Sequence, residues 1–455
     1  MRQPNNLPQS LTNHNLHWVS IEDFRQRDPQ ISALESARFI HHFKMDINLS
    51  EPAVHLLLGP RQLGKSTLLK STMLDLLKEG WDPESIWYVA CDGIVTLERF
   101  EETLRMFGER NSGDRRSFLF LDEVQFIANW ALIFKAVLDE GLMARTVVVI
   151  TGSDASVLKD SKTYFPGVNR RGLCAQDLEL FPITFAEFLK LESSDSASHA
   201  ATPPEEIPHG RKMELFKQYI KSGGFPASVN QILTGGSIPD GLYSVYEDWI
   251  VGDFLRKNRD KTHLGAVLQA VITTLGSQNS FSRLHQHVDR GSLPTTIEYL
   301  ELLEHISVIR IVSALDQGSL GPAQKKSKKF HFRDPLLAFA VENLLRKQQR
   351  LGKSFVLPES ILVEGIVSNY LARQYPTYYL KAEGEVDVAI VREGGFIPIE
   401  VKWAEQTRSN DFKQLKKYKN GILLRKEAGS GIRDGVRIFS LVDVLAVDDL
   451  RWLDP

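Results

Sequence analysis

The chain has 455 residues, of which 42% are hydrophobic and 25% are charged, with a formal net charge of −2 at pH 7. This length exceeds what one hydrophobic core normally serves, so we expect several domains of an ordinary water-soluble class. The charge balance excludes a globally basic nucleic-acid binder, and no apolar stretch approaches the roughly 18 residues of a membrane span.

The N-terminus and the cysteines indicate the cellular compartment. Residues 1–20 are polar, rich in Asn and Pro, and lack the apolar core of a signal peptide, so we expect them to be disordered. Cys91 and Cys174 are too few and too far apart for a disulfide scaffold or a structural zinc site. The sequence therefore predicts a protein of the reducing cytoplasm.

The strongest motif follows the apolar run Val54–Leu58, a predicted buried strand. Residues 59–66 match G-x-x-x-x-G-K-[ST], and Ser66–Leu77 has the apolar spacing of a helix. A strand, a glycine-containing loop and a helix N-terminus in this order form a nest of N–H donors around phosphate. We expect ATP to be bound by Gly59, Pro60, Arg61, Gln62, Leu63, Gly64, Lys65, Ser66 and Thr67, with the Ser66 hydroxyl as a ligand of Mg²⁺.

Two further strands of a parallel sheet are predicted to bring polar groups to the same edge. Ser117–Leu121 ends in Asp122 and Glu123, of which Asp122 is expected to hold Mg²⁺ and Glu123 to polarise the attacking water. Thr146–Ile150 ends in Thr151 and Ser153, which either sense the γ-phosphate or form a plain turn. With Ile86–Ala90 as a further strand and Trp130–Leu138 as a helix, residues 21–190 are predicted to form the ATPase core.

After a linker and helical lid at 191–242, residues 243–345 show the order of a winged helix-turn-helix. Helices are predicted at His263–Leu275, Phe281–His287 and Pro294–Leu303, and strands at Ile306–Val312 and Lys328–Phe332. The third helix would enter a major groove, and the wing lysines would contact phosphates: Lys325, Lys326, Lys328 and Lys329. Because that helix carries Glu298, Glu301 and Glu304, a module used only for packing or protein contact stays an alternative.

The last segment, 355–455, carries a second chemical pattern. Asp387 and Glu400 are predicted on adjacent antiparallel strands, Glu385–Val391 and Phe396–Val401, and period-2 alternation puts Glu400 and Lys402 on one face. We expect these acids, completed by Glu364 on a helix at Ser360–Arg373, to bind Mg²⁺ or Mn²⁺, with Lys402 activating water. A surface cluster of ion pairs is the alternative. A helix at Asn410–Tyr418 would place Gln414 and Tyr418 on one face.

These motifs resemble known families. The arrangement Asp387…Glu400-x-Lys402 resembles the PD-(D/E)xK nucleases, and Gln414 with Tyr418 resembles their RecB-like branch. From about Val54 to Asp443 the chain resembles prokaryotic AAA-type P-loop ATPases related to archaeal and STAND ATPases. That resemblance implies an α/β protein with a P-loop parallel-sheet ATPase core, a winged helix-turn-helix and a C-terminal restriction-endonuclease-like domain. It also implies a nucleotide-responsive arginine at Arg170 or Arg171.

The sequence thus favours an ATP-hydrolysing, Mg²⁺-dependent AAA-type ATPase that acts on DNA, with a metal-dependent nuclease domain at its C-terminus. The alternative is a STAND-like switch ATPase whose nuclease fold binds DNA or protein without cutting. A third possibility is an interaction protein that holds nucleotide structurally. The expected partners are ATP and DNA but no membrane, and a homo-oligomer stays open.

Overall fold

A computed structural model describes residues 8–113, 115–154, 156–164, 176–194 and 203–454, and the chain divides into two compact units, 1–181 and 182–455. The α-helices of the first unit are α1 (Gln9–His14), α2 (Ile21–Arg27), α3 (Pro29–Ser36), α4 (Lys65–Lys78), α5 (Leu97–Arg110), α6 (Trp130–Asp139) and α7 (Ser156–Tyr164). Its strands are β1 (Val54–Leu58), β2 (Ile86–Ala90), β3 (Ser117–Asp122), β4 (Thr146–Gly152) and β5 (Asp177–Glu179).

The first unit is built on a five-stranded parallel sheet in the order β2-β3-β4-β1-β5. Every residue of β3 and β4 is buried, as expected for parallel strands covered on both faces. Helices α5 and α6 contribute Phe100 and Phe134 to the core beside the sheet. The predicted parallel sheet is confirmed, and β1 and β2 have the predicted bounds.

The N-terminal segment from residue 8 onward is ordered, contrary to the prediction of disorder for 1–20. Asn15 donates to the carbonyl oxygen of Tyr88 at 2.8 Å and accepts from its N–H at 2.7 Å. The ring nitrogens of His17 and Trp18 both bond the carbonyl oxygen of Ile86, at 2.9 and 3.1 Å. Because β2 is an edge strand, its outward backbone groups need partners, and this segment supplies them.

The second unit is larger. Its α-helices are α8 (Phe185–Ser194), α9 (His209–Ser222), α10 (Pro226–Gly235), α11 (Asp240–Arg256), α12 (Lys261–Thr273), α13 (Phe281–His285), α14 (Leu293–His305), α15 (Pro335–Lys347), α16 (Glu359–Ala372) and α17 (Leu441–Leu445). Its strands are β6 (Ile309–Ser313), β7 (Leu315–Asp316), β8 (Gly321–Pro322), β9 (Lys328–Phe332), β10 (Thr377–Lys381), β11 (Glu385–Arg392), β12 (Gly395–Lys402), β13 (Ile422–Arg425), β14 (Gly431–Arg433) and β15 (Val436–Ser440).

Helices α12 to α14 and the antiparallel pair β6/β9 occur in the predicted order. The side chains of Asp260, Ser280 and Ser292 cap the three helices by accepting a backbone N–H in the first turn. Strand β6 begins at Ile309 rather than Ile306, because α14 extends to His305 and Ser307 adopts a left-handed turn with φ of 61°.

The C-terminal sheet is mixed, with the order β10-β11-β12-β13-β15-β14. Strands β11 and β12 are antiparallel and joined by a two-residue turn at Glu393 and Gly394, both with positive φ. With the parallel core, this sheet and the helices make the chain an α/β protein. None of the described helices combines the length and the apolar run needed to cross a bilayer.

The helix predicted at Asn410–Tyr418 does not form. Two separate 3₁₀ turns, Ser409–Phe412 and Leu415–Lys417, replace it, and Tyr418 is extended. The cause is tertiary packing, since Phe412 and Leu415 are buried in the core of the sheet and Tyr418 packs against Phe396 at 5.6 Å between ring centroids. Gln414 and Tyr418 therefore do not share a helical face.

Candidate functional site

The backbone of the loop between β1 and α4 requires its two glycines. Gly59 has a φ of 146°, and a Cβ there would lie 2.8 Å from the carbonyl oxygen of Leu180. Gly64 has a φ of 97° and immediately precedes α4, so the loop delivers Lys65 and Ser66 to the helix N-terminus, with Thr67 in the same turn. Leu63 is fully buried and anchors the loop, and Gln62 takes the left-handed conformation with φ of 62°.

Lys65 is a buried cation in this loop. Its Nζ donates to the carbonyl oxygens of Gly59 and Pro60, at 2.9 and 3.0 Å, and lies 3.1 Å from Oε1 of Glu123. The guanidinium of Arg61 lies over the ring of Phe126, 4.9 Å from its centroid. The loop therefore presents a fixed positive charge at the carboxyl end of the sheet, where phosphate binds in α/β proteins.

Three hydroxyl groups converge on Asp122. Ser66 Oγ and Tyr88 Oη each donate to Oδ2 at 2.5 Å, and Thr151 Oγ1 donates to Oδ1 at 2.5 Å. A serine hydroxyl beside a carboxylate is an oxygen ligand set that suits Mg²⁺, so these residues fit the metal ion that accompanies ATP. Sequence reasoning missed Tyr88, although its place near the carboxyl end of the strand beside β3 was a usable signal.

Glu123 is held in a strained conformation at the same sheet edge. Its φ is 56°, its N–H donates to Thr151 Oγ1 at 2.8 Å, and its Oε2 accepts from Ser153 Oγ at 2.8 Å and from Gln125 Nε2 at 2.5 Å. Burial alone would raise the pKa of Glu123, but Lys65, the Ser153 hydrogen bond and Arg61 outweigh it, and the pKa lies below its ordinary value. Glu123 is therefore a carboxylate at neutral pH.

The structure thus brings together the residues predicted for the phosphate site. Thr151 and Ser153 do not form a plain turn, because each holds one of the two acids. Sequence reasoning also missed Gln125, which bonds both Glu123 and Ser153. Arg170 and Arg171, the predicted arginine pair, lie outside the described residues.

The second unit places the predicted C-terminal residues in one cluster. Strands β11 and β12 pair as expected, Asp387 Oδ2 accepts from the N–H of Val401 at 2.9 Å, and Lys402 Nζ lies 2.7 Å from Glu400 Oε1. Burial raises the pKa of Glu400 to about 7, with Asp387 adding to the shift and Lys402 opposing it.

Lys329 of β9 is an unexpected member of this cluster. Its side chain is 1% exposed, and its Nζ lies 2.8 Å from Glu364 Oε1 and 3.6 Å from Asp387 Oδ1, with a further ion pair to Glu385. Burial raises the pKa of Glu364 to about 8, with Asp387 adding and Lys329 opposing. Burial would lower the pKa of Lys329, but the acids outweigh it and the pKa lies above its ordinary value.

This arrangement bears on two predictions, the metal site and the basic wing. In the part of the chain that the structure describes, no group of three or more His, Cys, Asp or Glu is arranged to hold a metal ion. The Lys329 ammonium lies against Glu364 and Asp387, two of the three predicted metal ligands, and the metal site stays a prediction. The wing is also less basic than predicted, since Lys329 is buried and Lys328 is half-buried, donating to Ser313 Oγ at 3.1 Å.

Comparisons with known proteins support the prediction of an AAA-type fold for the first unit. Residues 51–189 match an AAA domain family, AAA_14, while 213–348 and 359–450 match two domains of unknown function, DUF8612 and DUF4143. An uncharacterized protein of Haemophilus influenzae is 22% identical over 410 residues, which is 86% of this chain and 94% of the relative. Another, from Methanocaldococcus jannaschii, is 25% identical over 406 residues, which is 82% of this chain and 80% of the relative.

Two solved structures are similar over most of their own length. A Walker-type ATPase of Pyrococcus abyssi has a TM-score of 0.42 and 16% identity, covering 70% of this chain and 97% of that one. The ORC1 protein of Aeropyrum pernix, solved in complex with DNA, has a TM-score of 0.34 and 13% identity, covering 76% and 94%. The family match and the site geometry together identify a P-loop AAA ATPase core in this chain.

Proposed function

We propose that this AAA-type P-loop ATPase binds and hydrolyses Mg²⁺·ATP at the carboxyl edge of its parallel sheet. The observation that carries the proposal is the convergence of Lys65, Ser66, Asp122 and Glu123 in one hydrogen-bonded group. A protein that binds a nucleotide without hydrolysing it needs the loop and the lysine. It does not need an ionised glutamate at the same edge of the sheet, held by Lys65, Gln125 and Ser153.

We assign a separate task to each side chain of this group. The N–H groups of the loop and the Lys65 ammonium would neutralise the β- and γ-phosphates, and Ser66 with Asp122 would hold Mg²⁺. Glu123 would orient the attacking water and accept its proton. Because Lys65 is now 3.1 Å from Glu123, its movement toward phosphate would remove a charge that depresses the glutamate pKa and make Glu123 a stronger base.

Two variants test these roles. Lys65→Ala should abolish ATP binding, because it deletes the charge that faces the phosphates. Glu123→Gln should keep ATP binding and slow hydrolysis by orders of magnitude, because only water activation is lost. Lys78→Ala, an exposed lysine at the other end of α4, is the matched control and should behave as wild type. Equal turnover in wild type and Glu123→Gln would refute the role of Glu123.

A second proposal is that the loop between β8 and β9 contacts DNA phosphates. Lys325 and Lys326 are exposed there, and Lys326 Nζ donates to the carbonyl oxygen of Lys381, so a third lysine lies beside the loop. Lys325→Ala/Lys326→Ala should weaken binding to duplex DNA. The plot of log binding constant against log salt concentration should become less steep by roughly 1.8, about 0.9 for each lost contact. Lys261→Ala/Lys353→Ala, two exposed lysines elsewhere in this unit, are the control. Unchanged affinity and slope in the loop variant would favour a protein-binding role.

The two predictions for the C-terminal domain, cleavage and binding without cleavage, differ in what they require of the acidic cluster. Metal-dependent cleavage requires carboxylates open to a divalent ion, and Glu400→Ala or Lys402→Ala would then abolish it. The ammonium of Lys329 among these acids favours the reading without cleavage. The bound nucleotide would then act as a switch that controls whether this unit binds DNA or protein.

A further inference from the structure

We propose that the Lys329 ammonium is the resident cation of the acidic cluster, in place of a divalent metal ion. The cluster consists of Glu364, Glu385, Asp387 and Glu400 with Lys329 and Lys402. In this role Lys329 ties β9 to α16 and β11, and the C-terminal domain does not cleave phosphodiesters. This inference is independent of the ATPase proposal, which concerns the other unit.

Nitrogen donors already contact three of the acids, whereas Glu400 Oε2 is buried without a hydrogen-bond partner among the described residues. Lys329 engages Glu364, Glu385 and Asp387 at once, and its Nζ also lies 5.7 Å from the ring centroid of Tyr379. The other oxygen of Asp387 accepts the Val401 N–H. A magnesium or manganese ion needs oxygen ligands at about 2.0–2.2 Å around its own centre, so it would compete with this ammonium for Glu364 Oε1 and Asp387 Oδ1.

The charges lead to the same conclusion. A divalent ion beside Lys329 would place two cations within a few ångströms in a site where Lys329 is 1% exposed. Water and salt screen charges at the protein surface, but they would screen the repulsion between these two buried cations only poorly. A divalent ion in contact with Glu364 and Asp387 would therefore have to displace the Lys329 ammonium from them, and that ammonium is covalently part of the chain.

The backbone keeps Lys329 in place. It lies within β9, opposite Val312 of β6, and its neighbour Lys328 exchanges two backbone hydrogen bonds with Asn279, at 2.8 and 2.7 Å. Tyr379 Oη donates to the carbonyl oxygen of Ser327 at 2.6 Å, on the other side of Lys328. These bonds fix the backbone of β9 beside Lys329, so the side chain enters the acidic cluster from a defined position.

The test measures Mn²⁺ binding and DNA cleavage by the full-length chain without nucleotide. Wild type, and Lys353→Met as a control at an exposed lysine, should cleave no DNA and should bind no Mn²⁺ at a site that the Asp387→Asn change removes. Lys329→Met should melt at a lower temperature and gain one Mn²⁺ site, so that Mn²⁺ raises its melting temperature; adding Asp387→Asn should abolish that gain.

Two results would overturn the inference. The first is Mn²⁺ binding by wild type that Asp387→Asn abolishes, or wild-type cleavage that Glu400→Ala abolishes. The second is a Lys329→Met protein that is as stable as wild type and binds no Mn²⁺. If Lys329→Met does not fold, the wild-type measurements with Asp387→Asn still decide the question, and refolding after a compensating Glu364→Gln change would support the ion-pair role.

Discussion

At the scale of single residues, the phosphate site is organised by hydroxyl groups around two acids. Asp122 is held by Ser66, Tyr88 and Thr151, so its carboxylate has one orientation before any ligand arrives. Preorganised groups of this kind spend no free energy on reorientation when charge has to be stabilised. Of the three, only Tyr88 lies outside the motifs of the sequence.

We therefore expect Tyr88→Phe to impair use of Mg²⁺ without impairing nucleotide binding. The change removes one hydrogen bond to a charged acceptor, which contributes about 1.5–3 kcal/mol, so the half-saturating Mg²⁺ concentration for ATP hydrolysis should rise roughly tenfold or more. ATP binding measured without Mg²⁺ should stay unchanged. Tyr378→Phe, in the other unit, is the control, and an unaltered Mg²⁺ dependence in Tyr88→Phe would show that the hydroxyl only packs.

His17 predicts a pH dependence of stability in the first unit. Burial lowers its pKa to about 4, from an ordinary value of about 6.5, because the charged ring is poorly solvated beside the carbonyl oxygen of Ile86. Since the folded-state pKa is depressed, the contribution of neutral His17 to the free energy of unfolding is fully present above pH 6.5. It is lost as the pH falls from about 6.5 to 4, because the unfolded chain then binds a proton more readily than the folded chain. Its full size is about 3 kcal/mol.

Amide hydrogen exchange of β2, corrected for intrinsic rates, would measure this effect locally and separately from any titration in the other unit. Protection of β2 should fall between pH 7 and 5 in wild type, and should fall less in His17→Gln, whose amide can still donate to Ile86. An equal loss of protection in both proteins would contradict the assignment to His17.

At the scale of elements, the Gly-Gly-Phe-Pro sequence at residues 223–226 links three parts of the second unit. Gly224 accepts from the N–H of Ile183 at 2.7 Å and donates to Asp334 Oδ2 at 2.8 Å, while Asp334 also caps α15. Gly223 has a φ of 59° and packs against the same carboxylate. The Gly-Gly-Phe-Pro sequence is therefore explained by close backbone approach between the start of the unit, the end of α9 and the start of α15.

Gly224→Ala should accordingly destabilise the second unit by about 2–4 kcal/mol, because its Cβ would overlap the carbonyl oxygen of Ile183. Gly210→Ala is the matched control, since nothing lies within 4 Å of a Cβ at that helical position. Urea unfolding of the two variants measures the difference. Equal midpoints would mean that the backbone relaxes at no cost.

At the scale of the whole molecule, the helix–hairpin segment and the C-terminal sheet belong to one compact unit. Arg310 of β6 donates to the carbonyl oxygens of Ser368 and Thr377, at 2.8 and 3.0 Å, and Lys329 of β9 pairs with Glu364. Two cations of the hairpin thus have their partners after residue 355. The division into separate domains at 243–345 and 355–455 stays a prediction.

We expect a fragment of residues 182–455 to unfold cooperatively in urea and a fragment of residues 182–350 not to. The shorter fragment would leave Arg310 and Lys329 without partners and expose the surface that α16 covers on β9. Loss of one partner of a buried ion pair costs about 3–5 kcal/mol, a large part of a domain's stability. A cooperative transition in the shorter fragment would support the separate domains.

The sequence by itself determined the nucleotide-binding core. Continuous apolar runs predict buried parallel strands, and in such a sheet the polar residues that follow each run must meet at one edge. This local rule placed Lys65, Ser66, Asp122 and Glu123 together without knowledge of the strand order. The same kind of argument, from two strand patterns across a short turn, placed Asp387 and Glu400 on adjacent antiparallel strands.

Only the tertiary structure decided what surrounds those residues. Nothing in the local pattern around Lys329 distinguishes a lysine that faces DNA from one buried among carboxylates 35 to 58 positions further along the chain. Tyr88 reaches Asp122, and Asn15 pairs with β2, for the same reason: both are contacts between segments far apart in sequence. Their energies depend on burial and partner geometry, which local propensity does not encode.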